Sequence, residues 1–136
     1  MTRSADACPC GSGDHYAACC APLHHGEVAA PTAERLMRSR YSAFAVGDAE
    51  YLLSTWHPST RPAELELDPH MEWRRLVIVD AVDGGERDED GVVEFRAYWR
   101  VLPTPQRPRD GGVLHERSRF RRERGRWFYL DGDVDA

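Results

Sequence analysis

Four cysteines lie within thirteen residues near the start of the chain, which contains no others. They form a C-x-C pair and, after eight intervening residues, a C-C pair: Cys8, Cys10, Cys19 and Cys20. Two thiol pairs joined by a turn have the form of a small tetrahedral site, and zinc accepts four thiolates as its ligands. The segment is too short to hold a hydrophobic core, so we expect a metal ion to stabilise its fold.

Two other interpretations of the cysteines remain open. A pair of disulfides would need an oxidising compartment, and residues 1–7 lack the apolar segment of a signal peptide. Redox or catalytic thiols are a further alternative, although the chain has no C-x-x-C motif. We therefore expect a cytoplasmic protein whose cysteines are reduced and bound to metal.

The run from Cys8-Pro-Cys-Gly-Ser-Gly through Tyr16 to Cys19-Cys20 resembles a SEC-C motif, the small metal-binding element also found at the C-terminus of the SecA translocation ATPase. The resemblance implies that the four cysteines are the metal ligands. The last ligand of the motif is often His, whereas Cys20 gives this chain an all-sulfur site. We expect zinc, with iron as the alternative, because soft thiolates suit both metals.

Residues 21–30 are predicted to form a linker, because proline and glycine punctuate them. His24 and His25 lie in this segment, close behind Cys20. They could act as substitute ligands, but four sulfurs already fill the site. We therefore expect both histidines on the surface.

The next part of the chain has the pattern of two consecutive helices. Thr32 is a suitable N-cap for the first helix, and Gly47 follows its last apolar residue. Asp48 is placed to cap the second helix, which Pro58 stops. Two helices joined by one Gly-Asp corner form a helical hairpin.

After this hairpin the periodicity changes from helical to alternating. Strands are predicted over residues 73–82, 92–102, 113–123 and 126–130, with a charged hairpin loop over 84–91 and an exposed loop over 103–112. Helices followed by antiparallel strands indicate an α+β domain in which a curved sheet folds over the hairpin. A small metal-binding knuckle (residues 8–20) precedes this domain.

Several sequence runs in this domain resemble the YchJ family of small bacterial proteins. They are Arg38-Ser-Arg-Tyr-Ser-Ala-Phe, Thr55-Trp-His-Pro, His115-Glu-Arg-Ser-Arg-Phe and Gly125-Arg-Trp-Phe-Tyr-Leu-Asp-Gly. The resemblance spans nearly the whole chain and implies a SEC-C motif with its linker over residues 1–30. It further implies a nuclear-transport-factor-two-like (NTF2-like), or cystatin-like, cone domain over residues 31–136. It implies a fold and a metal, and no reaction.

The interior of the cone is the second candidate site. Glu116 lies by alternation on the concave face of the third strand, and Arg40 lies at the edge of the apolar stripe of the first helix. We predict that the two form an ion pair inside the cone, because a buried carboxylate needs a partner. The predicted pocket residues are Arg40, Tyr41, Trp56, His57, Trp73, Trp99 and Glu116.

Three interpretations of this pocket remain open. The ion pair could simply fix the helix on the sheet, or the pocket could bind a small ligand. Alternatively, His57 or Glu116 could act as a general base in catalysis. Arg40 could also keep its guanidinium in water and bury only its stem. We favour the structural interpretation, and therefore a protein that is not an enzyme.

The opposite face of the sheet carries a predicted basic patch. Arg117, Arg119 and Arg121 project outward, and His115 shares this face and is expected to be exposed. Further arginines that could join the patch are Arg96, Arg100, Arg122, Arg124 and Arg126. The patch could be neutralised by the many acidic residues, or it could contact RNA, the ribosome or an acidic protein.

These observations favour a zinc-binding cytoplasmic protein whose knuckle docks a partner while the cone serves as a scaffold. SEC-C motifs elsewhere are associated with protein or ribosome contacts, which implies such a partner here. Nucleic acid is a weaker candidate, because the chain has a net charge of −5. No apolar run approaches the ~18 residues of a membrane span, so a membrane partner is not expected. A homodimer formed through the sheet stays open.

Overall fold

The computed structural model describes residues 6–134. Residues 1–5, which fall in the segment where we expect no signal peptide, and residues 135–136 lie outside the described part. The elements are a short 3-10 turn (Tyr16–Ala18), α1 (Ala21–His24), α2 (Ala33–Val46), α3 (Ala49–Ser54), β1 (Met71–Asp83), β2 (Asp90–Val101), β3 (Asp110–Glu123) and β4 (Arg126–Val134). None of the helices in residues 6–134 is long and apolar enough to cross a membrane.

The helical hairpin forms as the capping residues predict. The Thr32 hydroxyl accepts a hydrogen bond from the Arg35 backbone N–H at 3.1 Å, which caps α2. Gly47 ends α2 in the left-handed region, with φ of 80°. One residue later, the Asp48 carboxylate accepts from the Tyr51 N–H at 3.0 Å and starts α3. The corner between the two helices is therefore set by local chemistry.

The four strands form one antiparallel sheet in the order β1-β2-β3-β4. Register shifts interrupt β1 at two places and the β3–β4 pairing at Arg119/Phe120. Such irregularities increase local twist and bend a sheet, so they curve it around the helices. β4 runs beyond the predicted end at Leu130, because Asp131 and Asp133 pair across the ladder with Arg119 and Arg117. The predicted α+β fold with a curved sheet is confirmed.

α2 packs across the concave face of the sheet and forms the centre of the core. The largest side chains that α2 and α3 bury completely are Leu36 and Leu52, and the sheet contributes Val93, Val101 and Phe120. Residues three and four apart lie on one face of a helix, and alternate residues lie on one face of a strand. These two faces contact each other in the core. The other side of α2 lies against the knuckle.

A close approach of glycines fixes the β1–β2 hairpin against the start of α2. The Ala33 N–H donates to the Gly84 carbonyl at 2.9 Å. A Cβ on Gly91 would lie 2.6 Å from the Gly84 Cα and 3.0 Å from the Ala33 Cβ. Only a residue without a side chain fits at position 91, so the backbone of the hairpin packs directly against the start of α2.

We expect Gly91→Ala to lower the free energy of unfolding by about 1–3 kcal/mol, because two backbones must separate to admit one methyl group. Urea unfolding of the metal-loaded protein measures this loss. Gly85→Ala is the matched control, because a Cβ there meets only the Asp88 carboxylate at 3.4 Å. A loss of equal size in both variants would contradict the steric explanation.

Candidate metal centre

The four cysteine sulfurs converge at the centre of the knuckle. They all lie within 4.8 Å of one another, and all four cysteines are buried and free of disulfides. The Cys10–Cys19 and Cys19–Cys20 sulfur distances are 3.6 and 4.0 Å. Four sulfurs placed tetrahedrally about 2.3 Å from a zinc ion would lie about 3.8 Å apart. The donor set therefore fits a tetrahedral metal ion, and the cysteines are placed to bind one.

Backbone hydrogen bonds shape the loop that carries these sulfurs. The Cys8 N–H donates to the Asp14 carbonyl at 2.8 Å, and the Gly11 N–H donates to the Cys8 carbonyl at 3.1 Å. Gly11 and Gly13 have φ angles of 81° and 92°. Residues with a Cβ rarely adopt these angles, so the two glycines let the chain turn tightly around the four sulfurs.

The buried thiols need a cation in order to ionise together. Contact with the Cys10 and Cys8 thiols, reinforced by burial, raises the pKa of Cys20 above its ordinary value. A divalent ion supplies the positive charge that removes this penalty, so metal binding releases the protons of the cluster. Four thiolates around a divalent ion still leave a net charge of minus two.

Arg35 offsets part of that charge from the first turn of α2. Its guanidinium donates to the Cys20 sulfur at 3.4 Å, to the Cys19 sulfur at 3.5 Å and to the Cys19 carbonyl at 2.7 Å. Arg38, one helical turn on, donates to the Cys10 carbonyl at 2.9 Å. Neither arginine is among the site residues predicted from the sequence. Their three-residue spacing places them on one face of α2. The sequence pattern does not show that the knuckle packs against this face.

His24 joins the knuckle to the middle of α2, which corrects two expectations. Its Nε2 donates to the Ser39 carbonyl at 2.8 Å, and its Nδ1 accepts from the Tyr16 hydroxyl at 2.7 Å. The residue is half-buried, so the expected surface position is wrong for His24, whereas His25 is exposed. The expected linker is also wrong over Ala21–His24, because this segment is helical and buries Leu23 in the core.

The predicted ion pair between Arg40 and Glu116 does not form. Arg40 is buried, and its Nη1 donates to the Leu52 carbonyl at 2.7 Å and to the Thr55 hydroxyl at 2.6 Å. The ring of Tyr129 lies 4.7 Å from the guanidinium carbon. The end of α3, rather than Glu116, thus provides the acceptors for Nη1 of Arg40. Because its guanidinium is buried too, the alternative in which Arg40 keeps it in water is also wrong.

Neutral groups hold the Glu116 carboxylate instead. Its Oε2 accepts from the Ser118 hydroxyl at 2.6 Å and from the Tyr129 hydroxyl at 3.0 Å. Glu116 therefore faces the interior of the cone, as its alternation predicts, with hydroxyl partners rather than a cation. Tyr129 links the two groups, because its ring contacts Arg40 and its hydroxyl binds Glu116.

The structure divides the predicted pocket residues into three groups. Arg40, Trp56 and Glu116 line one cavity between α2 and the sheet, and Tyr41 and Trp73 line a neighbouring one. The remaining two, His57 and Trp99, line neither cavity.

His57 lies outside the cone interior, in the loop that follows the end of α3 at Ser54. Its Nε2 lies 2.6 Å from a Glu123 carboxylate oxygen, and its Nδ1 lies 2.7 Å from the Ser59 hydroxyl. Both ring nitrogens are thus engaged by groups at the edge of β3 and in the loop after α3. Trp99 instead packs against Gly112 on β3, where a Cβ on the glycine would lie 3.0 Å from the indole. Neither side chain is placed to act on a molecule in the cavities.

The arginines on the outer face of β3 are paired with acids. Arg117 contacts Asp80 and Glu94, Arg119 contacts Asp131 and Asp133, and Arg121 contacts Asp90. Because each of these three guanidiniums has a carboxylate neighbour, the three do not present the uncompensated positive charge that nucleic acids attract.

His115 is the exception to the predicted exposure of this face. It is half-buried and lies 2.6 Å from a Glu94 carboxylate oxygen. The imidazole and Arg117 together lower the pKa of Glu94, with the hydrogen bond from His115 as the largest cause. The prediction that His115 is exposed is therefore wrong, because its ring contacts Glu94 on the neighbouring strand.

Removing the Arg35 guanidinium should weaken metal binding. We expect Arg35→Met to lower the affinity for Zn²⁺ about tenfold or more, because groups that hydrogen-bond metal ligands typically contribute that much. Competition with a chromogenic chelator measures the affinity. Arg74→Met, at an exposed position of β1, is the matched control. Unchanged affinity in Arg35→Met would show that the arginine contacts are incidental.

Burial of the His24 ring makes part of the stability dependent on pH. Burial lowers the pKa of His24, so the folded protein favours the neutral ring while the unfolded chain takes up a proton near pH 6.5. The stability that the neutral ring provides is complete above about pH 6.5 and is lost as the pH falls below it. Denaturant unfolding between pH 7.5 and 5.5 should therefore be less pH-dependent in His24→Asn, at equal metal occupancy. Equal slopes for both proteins would contradict this assignment.

Comparisons with known proteins agree with this architecture. A family model described as "YchJ, middle NTF2-like domain" matches residues 32–132, and a SEC-C motif model matches residues 5–22. A UPF0225 protein of Streptomyces coelicolor is 55% identical over 126 residues, which cover 93% of this chain and 94% of that protein. A UPF0225 protein of Deinococcus radiodurans is 50% identical over 124 residues, covering 91% and 86% of the two chains.

Two solved structures are also similar. The solution structure of a SEC-C motif-containing protein from Rhodopseudomonas palustris has a TM-score of 0.77 and 33% identity, and covers all of both chains. The crystal structure of a SEC-C motif-containing protein from Psychrobacter arcticus has a TM-score of 0.73 and 29% identity over 98% of this chain and 85% of that one. With its SEC-C knuckle and NTF2-like cone, the chain belongs to the YchJ family.

Proposed function

We propose that this protein is a zinc-binding docking module whose knuckle contacts a protein partner while the cone holds the knuckle in a fixed orientation. The observation that carries this proposal is the division of the knuckle into two sides. One side is attached to α2 through Arg35, Arg38 and His24. The other side, residues 11–15 with Ala17 and Ala18, is exposed.

The choice of zinc rests on the chemistry of the ligands. Four thiolates at tetrahedral spacing are typical of structural zinc sites, in which no coordination position is left for a substrate. Iron also binds four thiolates, and it would add redox chemistry that a docking element does not need. A reduced thiolate cluster further favours a cytoplasmic location.

The exposed side of the knuckle suits contact with a protein surface. Its residues are Gly11, Ser12, Gly13, Asp14, His15, Ala17 and Ala18. They are mostly small, so a partner can approach the backbone closely, and the rigid metal site limits the conformational entropy lost on binding. The one acidic side chain among them and the paired arginines of the sheet disfavour nucleic acid. A ribosomal protein is one partner of this class.

Photo-crosslinking at the exposed side tests the proposal. A photoreactive phenylalanine at position 17, in the full metal-loaded chain expressed in its host, should give one dominant protein adduct that mass spectrometry can identify. Asp14→Arg in the same protein should reduce that adduct several-fold while leaving metal content unchanged, because Asp14 is exposed and provides no sulfur ligand.

Position 113 on the outer face of the sheet provides the matched control, because Val113 is 46% exposed and distant in the chain from the knuckle. The same photoreactive residue there should not give the adduct. Equal yields from positions 17 and 113 would contradict docking through the knuckle. An adduct between two copies of the chain at position 113 would instead favour a homodimer formed through the sheet.

A further inference from the structure

Two cavities lie side by side between α2 and the concave face of the sheet. Their volumes are about 170 and 130 Å³, and they share the lining residues Met37, Phe44, Phe95 and Leu114. The smaller one is lined by apolar and aromatic side chains, among them Tyr41 and Trp73. An apolar cavity of about 150 Å³ is large enough for benzene. The smaller cavity thus has nearly the size and character to hold an aromatic ring.

The larger cavity is polar at the end where α3 stops. Arg40, Trp56, Glu116 and Tyr129 line it. Arg40 is 4% exposed, and its recorded hydrogen bonds both come from Nη1. Among residues 6–134 no hydrogen bond from its Nη2 or Nε is recorded, and the rings of Tyr129 and Trp56 lie 4.7 and 5.3 Å from the guanidinium carbon. Burial lowers the pKa of Arg40 to about 10, so the guanidinium remains charged at neutral pH and retains unused donors.

Two further polar atoms in these walls lack partners. The Trp56 indole N–H and the Tyr41 hydroxyl are buried and make no hydrogen bond within the described residues. Burial raises the pKa of Tyr41 to about 12, so its hydroxyl keeps its proton. Buried donors in native proteins almost always have an acceptor. Unpaired donors of side chains that line a cavity therefore favour an acceptor from outside the chain, either water or a ligand.

The charges of the larger cavity restrict the kind of acceptor. Arg40 contributes one positive charge and Glu116 one negative charge, so the lining is neutral overall. A carboxylate ligand would gain from Arg40 but would be repelled by Glu116 in a site of low dielectric constant. A carbonyl oxygen can accept from Arg40 and Trp56 without that repulsion. A neighbouring N–H or O–H can donate to the second oxygen of Glu116, for which the structure records no hydrogen bond.

We propose that the cone binds a small neutral molecule in which an amide or similar carbonyl group with an adjacent donor is attached to an aromatic or cyclic apolar body. The polar group occupies the cavity lined by Arg40, Trp56 and Glu116. The apolar body occupies the neighbouring cavity against Phe95 and Trp73. This site shares no residue with the knuckle and does not depend on the docking role proposed above.

Nuclear magnetic resonance titration of the full zinc-loaded chain with three probes tests this site. Benzamide carries the proposed polar group, toluene carries only the ring, and benzoate carries a negative charge. Benzamide should give saturable shifts of the Trp56 indole N–H and of Phe44 and Phe95 amides, with an affinity about fivefold or more above those of toluene and benzoate, as one added hydrogen-bonded group predicts.

Two variants separate binding in the cavity from general effects. Leu114→Trp fills the space shared by both cavities and should abolish the shifts. Val113→Trp is the matched control, because Val113 is 46% exposed on the opposite face, and it should bind benzamide as the wild type does. Trp56→Phe keeps an aromatic ring but removes the unpaired N–H. It should lower benzamide affinity several-fold and leave toluene affinity unchanged. The amide spectrum of each variant establishes that it is folded.

Three results would overturn the proposal. Absence of saturable shifts with 20 mM benzamide would show that water alone satisfies the cavity. Equal binding by wild type and Leu114→Trp would place the probe elsewhere on the protein. Tighter binding of benzoate than of benzamide would show that the site prefers an anion and that Glu116 does not oppose one.

Discussion

The contact of the Arg35 guanidinium with the cysteine cluster is the interaction on which the arrangement of the whole chain depends. The four thiolates and a divalent ion bound to them would carry net negative charge, and the buried cysteines receive hydrogen bonds from a cation of α2. The same helix contributes Leu36 and Met37 to the hydrophobic core of the cone. One helix thus contacts the knuckle with one face and packs against the sheet with the other, so it joins the two parts directly.

Local patterns were sufficient to predict most of the fold. The spacing of the cysteines, the caps at Thr32 and Asp48 and the alternation along β2 and β3 each depend on residues that are close in sequence. The family resemblance supplied the cone. Contacts between distant residues were harder to predict, because a sequence pattern shows the face on which a side chain lies and does not show what lies opposite. The bonds of His24 to the Ser39 carbonyl and of Arg35 to the Cys19 carbonyl are examples, since each joins residues 15 or more apart in the chain.

The predicted Arg40–Glu116 ion pair shows that two side chains can face the same interior without contacting each other. Both residues do face the interior of the cone. The long side chain of Arg40 nevertheless finds the carbonyl of Leu52 and the hydroxyl of Thr55 at the end of α3, which its own helical hairpin brings near. The ring of Tyr129 then covers the guanidinium. Groups at the end of α3 therefore accept the hydrogen bonds of Arg40 Nη1, and the Glu116 carboxylate has neutral partners from its own part of the sheet.

The attachment of the knuckle to α2 fixes the position of the exposed side of the knuckle relative to the cone. His24 and Arg38 tie the knuckle to α2 at two separate points, so it has no hinge about which to swing. Its exposed edge and the rim of the cone therefore stay at a constant separation. A partner long enough to touch both would meet the second surface at high effective concentration as soon as it bound the first. For a partner that contacts both surfaces, the distance between its two contact sites would therefore have to match this separation, in addition to the chemistry of each contact.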